Sequence, residues 1–425
     1  MCDTLAAVGA ATADGSVLFA KNSDREYDEA QYLELVPAKR HRSGESVRLT
    51  YVTIEQARET HSVLLSKPHW IWGAEIGANS YGLVVGNEAI FSKIEASPDP
   101  GVIGMDYLRL ALERSKDVDE AIDVLTSLLR EHGQGGNCGF RRKLSYHNSY
   151  ILADPRGASV LETVDREWVV RPIQGHGAIS NAMTIGADFA LASPTLRPRA
   201  IEAGIYDDDG LPFAFDAVFQ DQANAASGRF RHRRAMDLLS LRNGSLQISD
   251  MFKILRDHEE GLPLPGRSSG PRICTHTQES PLGQTTASWA ASLVPGRAVH
   301  WVTGTAAPCT GLFKPVVLAA GLPAQAPPGA SEDAVSLWWR HEQLRRHLDK
   351  AGQGMRDGFY EERDSLEAIF LRRMMECPED ADDGSHAEIR RVVDDCWLEG
   401  LAFEDRWHAR LATTDCRSPT ATETT

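Results

Sequence analysis

No apolar run in this 425-residue chain approaches the roughly 20 residues needed to span a bilayer. The first 30 residues alternate polar and apolar instead of building the charged and apolar regions of a secretory leader. A membrane span and a leader are therefore not expected, and the chain reads as cytoplasmic. Basic charge is also scarce: 45 Lys and Arg face 60 Asp and Glu, a formal net charge of −15. Such a field repels phosphate backbones and anionic lipid surfaces, so neither nucleic acid nor a membrane is an expected partner. The seven cysteines are odd in number, scattered, and include no C-x-x-C pair, which argues against a disulfide framework and a zinc ribbon. Cys274 and His276 stand two residues apart, yet a zinc corner needs two further ligands at sensible spacing and the sequence displays none. "GQGGNCG" lacks the lysine and hydroxyl pair of a phosphate-binding loop. No metal and no cofactor are expected.

What is present is an ordinary globular composition, 42% hydrophobic and 25% charged. Apolar stretches from Thr4 to Ala10 and from Ser16 to Lys21 flank Asp14-Gly15, a pair suited to a tight hairpin turn. A further strand is expected at 82–90. Val118, Ala121, Ile122, Leu125, Leu128 and Leu129 then recur at helical spacing, with Asp117 and Glu120 as a start signal and Gly133 as a stop, after a helical neighbour at 104–115. Strands return at 146–153 and 158–163 around "DPRG" and again in "TTASWAASLVP" and "AVHWVTGTAAP", with helices near 232–241 and 248–257 between them. Blocks of strands alternating with blocks of helices predict an α+β layered fold with largely antiparallel sheets. "GLPAQAPPGA" at 321–330 reads as a linker, 331–412 as a helical extension in which Trp338 and Trp339 serve as packing anchors, and 413–425 as a frayed tail.

Cys2 sits directly behind Met1. A small second residue allows Met1 to be removed, which leaves one residue carrying a thiol and a free α-amine. The amine, which ordinarily titrates at about 7.7–8.0, can accept the thiol proton, and the thiolate is the attacking species. The blander reading is a small residue chosen only because initiator removal tolerates it. The hairpin returns through "LFAKNSDR", which places Lys21, Asn22, Asp24 and Arg25 near the N-terminus. Asn87 in "VVGNEA" and Asn181 in "AISNAM" each offer an amide at the end of an apolar strand, a group suited to a developing oxyanion. His132 and His147 are expected to pack or hydrogen-bond within the fold.

The stretches "MCDTLAAVGAATADGSVLFAKNSDR", "WIWGAEIGANSYGLVVGNEAI", "YHNSYILADPRGASVLET", "ISNAMTI", "ICTHTQESPLGQTTAS", "GLFKPVV" and "LWWRHEQL" run in order over roughly residues 1–345. In them the chain resembles the secernins, within the cysteine-dependent dipeptidase family of N-terminal nucleophile (Ntn) hydrolases. The resemblance implies a four-layer αββα sandwich over residues 2–320. It implies Cys2 as nucleophile, Asp24 as the carboxylate orienting its amine, Asn181 as oxyanion donor and Asn87 as a second polar group. More distant relatives, the penicillin and bile-salt amidases, carry an arginine where this chain has Lys21, which keeps the charge and loses the planar fork. They also carry an arginine in an S-R-F setting that Arg229 in "SGRF" resembles. Lys21, Arg25 and Arg229 are the substrate-binding candidates, and the expected partner is a short peptide or amide. Self-association is left open. Two functions follow from the resemblance: a cysteine dipeptidase acting through a thioester at Cys2, or a non-hydrolytic secernin-like regulatory or binding protein that retains the fold.

Overall fold

The computed structural model describes residues 2–208, 210–258, 272–276, 283–378 and 383–415. The first hairpin pairs strands Cys2–Ala7 and Val17–Arg25, with Cys2 opposite Ser23. The first strand stops three residues earlier than its apolar pattern suggests, because Gly9 takes a positive φ of 56° and starts a 3-10 turn at Gly9–Ala11. Gly15, at φ 78°, then turns the chain back, with Asp14 Oδ1 accepting from the Ser16 N–H at 3.0 Å.

This hairpin lies inside a six-stranded antiparallel sheet. Its order is His176–Ile179, Cys2–Ala7, Val17–Arg25, Gln284–Val294, Arg297–Val302 and Lys314–Val316. The facing sheet has eight antiparallel strands, from Leu191–Ala192 through Glu167–Pro172, Gly157–Val164, His147–Asp154, Val84–Ile90, Ile76–Asn79 and Val63–Pro68 to Gln31–Val36. Leu5 and Phe19 of the first sheet share one apolar cluster with Ile76, Val84 and Ile151 of the second, so the sandwich core lies between the two.

Helices cover both outer faces. Gly104–Arg114 and Val118–His132 pack on the eight-stranded sheet through Leu108, Leu112, Ile122 and Leu125. The second of these begins and ends where local chemistry dictates: the Asp117 carboxylate accepts from the Glu120 N–H at 3.0 Å, and Gly133 closes the helix at φ 65°. On the other face lie Gln222–Ser240 and Ile248–Leu255. The order of layers is αββα, the Ntn-hydrolase fold.

The helix expected near 232–241 starts ten residues sooner, at Gln222. Its first half, "QANAASG", has small residues and no apolar stripe, so its periodicity is silent. Contact with the sheet, not amphipathicity, holds it in place. Three further helices, Leu337–Lys350, Gln353–Glu376 and Asp383–Asp415, follow the partly exposed segment 321–330. Phe370, Met374, Val393 and Trp397 from them join the same apolar cluster as the sheets, and the Trp397 indole N–H donates to Pro315 O at 2.9 Å. The helical extension therefore shares the sandwich core. Trp338 donates to Thr286 O at 2.8 Å and meets Trp339 edge to face, an anchoring role. The chain stays helical through Asp415, and the rest of the tail, 416–425, lies outside the described residues. No helix among the described residues is long and apolar enough to cross a membrane.

Candidate active site

All nine residues of Val17–Arg25 are buried, including Lys21, Asn22, Ser23, Asp24 and Arg25. A central strand covered on both faces can hold such side chains only if each is paired. Asn22 Nδ2 donates to Leu255 O and Ile273 O, both at 2.8 Å, and its Oδ1 accepts from Ser288 Oγ at 2.7 Å. Gln31 Nε2 donates to Ser23 Oγ at 2.8 Å. The ladder to Gln284–Val294 slips at a bulge between Thr285 and Ala287. That extra residue aims the Thr285 hydroxyl at Asp24 Oδ1, 2.6 Å away.

Cys2 lies where the first strand meets the bottom of a cavity of about 320 Å³ between the two sheets and the helix Gln222–Ser240. Its Sγ accepts from the Asp24 N–H at 3.4 Å and is 3.8 Å from Glu75 Oε2. Burial pushes the thiol up to about 12; the Lys21 charge opposes this, and the Glu75 and Asp24 carboxylates add to it. The thiol thus needs an adjacent base to react. The Cys2 nitrogen, which is the peptide nitrogen while Met1 is attached and the α-amine once it is gone, donates to Asn181 Oδ1 at 2.9 Å.

Asn181 follows the edge strand His176–Ile179. Its Nδ2 donates to Ala89 O at 2.8 Å, which uses one of two amide hydrogens. Asn87 lines the same cavity. Its Nδ2 donates to Asn148 Oδ1 at 3.2 Å, and its Oδ1 meets no donor among the described residues. The structure therefore brings Cys2, Asp24, Asn87 and Asn181 to one cavity. Burial raises the Asp24 carboxyl, against the Arg231 charge and the Thr285 hydroxyl, and the Thr275 hydroxyl lies 3.4 Å from its Oδ2.

The sequence pattern of the family described as "AAT: Acyl-coenzyme A:6-aminopenicillanic acid acyl-transferase" matches residues 11–270. The chain belongs to this family. It is thereby placed among the Ntn amide hydrolases and acyltransferases. Among solved structures, it is similar to a mutant of the conjugated bile acid hydrolase from Clostridium perfringens, at 14% identity over 75% of this chain and 92% of that one, TM-score 0.46. It is similar to penicillin V acylase from Agrobacterium tumefaciens, at 16% identity over 75% and 86%, TM-score 0.41. It is also similar to the Caenorhabditis elegans ortholog of N-acylethanolamine-hydrolyzing acid amidase, at 13% identity over 69% and 93%, TM-score 0.36.

The three basic candidates of this AAT-family chain fare differently. Lys21 does not line the cavity: it is fully buried against Glu88 at 3.0 Å and donates to Asn87 O at 2.7 Å, so it acts on the thiol only through its charge. Arg25 lines the cavity with its guanidinium occupied by Glu29, at 2.8 and 3.1 Å, and by Cys138 O at 2.5 Å. Arg229 is exposed, bonded to Gln222, and outside the cavity. Two residues on a helix lie roughly 200° apart, so it is Arg231 that faces inward. Arg231 pairs with Asp3 at 3.0 Å and donates to Ser180 Oγ at 2.8 Å and to Asn181 Oδ1 at 2.5 Å.

Sequence reading also missed Glu75 and Arg142. Glu75 sits just before the strand Ile76–Asn79, a lone charge in the small and apolar run "WGAEIG", and that isolation was the available signal. Arg142 arrives on a loop with no local pattern. Its Nε and Nη2 are buried and without hydrogen-bond partners among the described residues, and its nearest carboxylate, Glu26, is 3.9 Å away. His147 is buried beside Ser92 Oγ at 3.2 Å, and burial lowers it to about 4, as a neutral packing group.

Proposed function

We propose that this chain is a dipeptidase: a cysteine amidohydrolase that cleaves the peptide bond of unblocked dipeptides. With Met1 removed, the Cys2 α-amine takes the thiol proton, and the thiolate attacks the scissile carbonyl carbon. The oxyanion is held by the free amide hydrogen of Asn181 with the Asn87 amide beside it. The α-ammonium then protonates the leaving amine, a thioester remains on Cys2, and water, deprotonated by the same amine, releases the acid and restores the thiol.

The observation that carries the substrate reading is the charge pattern of the cavity. Arg142 lines it with a guanidinium whose Nε and Nη2 are buried without a hydrogen-bond partner among the described residues and whose nearest carboxylate, Glu26, is 3.9 Å away, while Glu26 and Glu75, the latter 3.3 Å from Arg25, line it with negative charge. A dipeptide carries a carboxylate and an ammonium within one small molecule, and a guanidinium takes the carboxylate through two parallel hydrogen bonds. Phe91, Leu144 and Tyr146 supply an apolar wall for a side chain. A long acyl chain would leave the charged groups unmatched.

The test uses purified protein whose intact mass verifies Cys2 as the first residue, with a panel of dipeptides, the same dipeptides amidated at the C-terminus, and N-acyl amino acids. Dipeptides are expected to be hydrolysed, with Cys2→Ala inactive. Arg142→Ala is expected to raise KM for dipeptides roughly 10- to 100-fold, the size of a charged hydrogen bond, and to leave the amidated series unchanged. Equal turnover by Cys2→Ala removes the nucleophile, and turnover of N-acyl amino acids alone removes the dipeptide.

A further inference from the structure

Behind Asp24, outside the cavity, four side chains converge that the proposed chemistry does not use. His258 lies three residues beyond the helix Ile248–Leu255, Cys274 and His276 flank Thr275, and Cys309 sits in the turn after Ala307, which adopts φ 52°. One ligand atom from each lies within 4.8 Å of the other three. His276 Nε2 is 3.1 Å from Cys274 Sγ, 3.1 Å from Cys309 Sγ and 3.2 Å from His258 Nε2. A ring nitrogen has one N–H or one lone pair, so it satisfies only one of these three neighbours by hydrogen bonding. Three donor atoms crowding a fourth are what a shared central cation produces. Zinc bonds of about 2.3 Å to sulfur and 2.0–2.1 Å to nitrogen in a tetrahedron hold ligand atoms roughly 3.3–3.8 Å apart, close to the spacing here.

We propose that His258, Cys274, His276 and Cys309 bind one zinc ion in a closed tetrahedral site. On binding, the two thiols release their protons to solvent, and two thiolates neutralise the divalent charge, which suits a site where Cys274, His276 and Cys309 are buried. Softer sulfur with imidazole selects zinc over magnesium or calcium. Four protein ligands leave no position for water, so the ion is structural.

The supports of the site are already in place. Asp257 O accepts from the Cys274 N–H at 3.1 Å, and the Arg363 guanidinium donates to Cys309 O, which ties in a C-terminal helix. The clamp reaches the reaction centre through Thr275, which stands between two ligands. Its N–H donates to Thr285 Oγ1 at 3.1 Å, and its own hydroxyl faces Asp24. Ligands separated by up to 51 residues (309 − 258) explain why no spacing motif announces the site.

Elemental analysis and native mass spectrometry of the full chain, purified under reducing conditions without a metal-affinity step, test the assignment. One zinc per chain is expected. After chelation, added Co²⁺ is expected to give the intense d–d bands of a tetrahedral ion and a thiolate-to-cobalt charge-transfer band. Cys309→Ala is expected to abolish both signals and Cys138→Ala, a buried cysteine elsewhere, to keep them. Should Cys309→Ala fail to fold, His258→Ala, at the half-buried ligand, is expected to weaken zinc at least tenfold. No uptake from micromolar zinc by chains with verified free thiols overturns the proposal. So does a Cys274–Cys309 disulfide in freshly isolated protein, a different metal in the same site, or zinc retained by both ligand variants.

Discussion

Asn181 Oδ1 accepts from the Cys2 nitrogen at 2.9 Å and from Arg231 Nη2 at 2.5 Å. The second bond settles which way the amide faces: oxygen toward the Cys2 nitrogen, Nδ2 toward Ala89 O. In the proposed mechanism one side chain thereby holds the base and presents a donor, with Arg231 as its positioning residue.

Replacing Asn181 by Ala removes both services. The expected result is a fall in kcat of roughly 10²–10³, the size of one lost oxyanion donor, with KM changed far less. Steady-state kinetics on a cleaved dipeptide check it; a change confined to KM would show that Asn181 serves only binding.

Gly228 lets the helix Gln222–Ser240 touch the Asn181 backbone. A Cβ there would stand 2.5 Å from Asn181 C and 2.6 Å from its O, distances no real contact allows. Gly228→Ala must therefore push Asn181 aside, and activity is expected to drop at least tenfold while the thiol still titrates with a disulfide reagent in unfolded protein. Unchanged kcat would mean that the helix shifts freely.

Lys21 and Glu88 form a fully buried ion pair. Lys21→Met leaves Glu88 buried without its cation, at an expected cost of about 3–5 kcal/mol, read from urea denaturation. Adding Glu88→Gln is expected to recover most of that loss. Recovery of stability without recovery of activity separates the structural pair from the effect of the Lys21 charge on the thiol.

Burial pushes Glu162 up to about 7, although Thr184 N at 2.7 Å and Ile185 N at 3.2 Å donate to it. Between its ordinary value of 4.5 and about 7 the folded chain holds a proton that the unfolded chain has released. The contribution of this group to stability is therefore fully present below about 4.5 and declines as pH rises through that window. Urea midpoints for Glu162→Gln are expected to vary less than wild type between about pH 5 and pH 7.5; an unaltered slope would assign the pH dependence to other groups.

The helix Val118–His132 was legible because its signals are local: a cap three residues from its partner, an apolar stripe, a terminal glycine. Gln222–Ser240 was half legible, since a segment that packs through glycine and alanine has no stripe to display. Arg231 was missed and Arg229 preferred because one short motif does not say which face of a helix turns inward.

From the sequence alone came the proposal of Cys2 as nucleophile, the alternation that makes the first hairpin, and the family resemblance that proposes Asp24, Asn87 and Asn181. These depend on neighbours along the chain or on short motifs. Tertiary structure alone decided that Glu75, Arg142 and Arg231 enter the cavity and that Lys21 stays out of it. It also decided that His258 and Cys309 meet Cys274 and His276. Such meetings join residues tens to hundreds of positions apart, and only the packing of two sheets and their helices brings them within bonding distance.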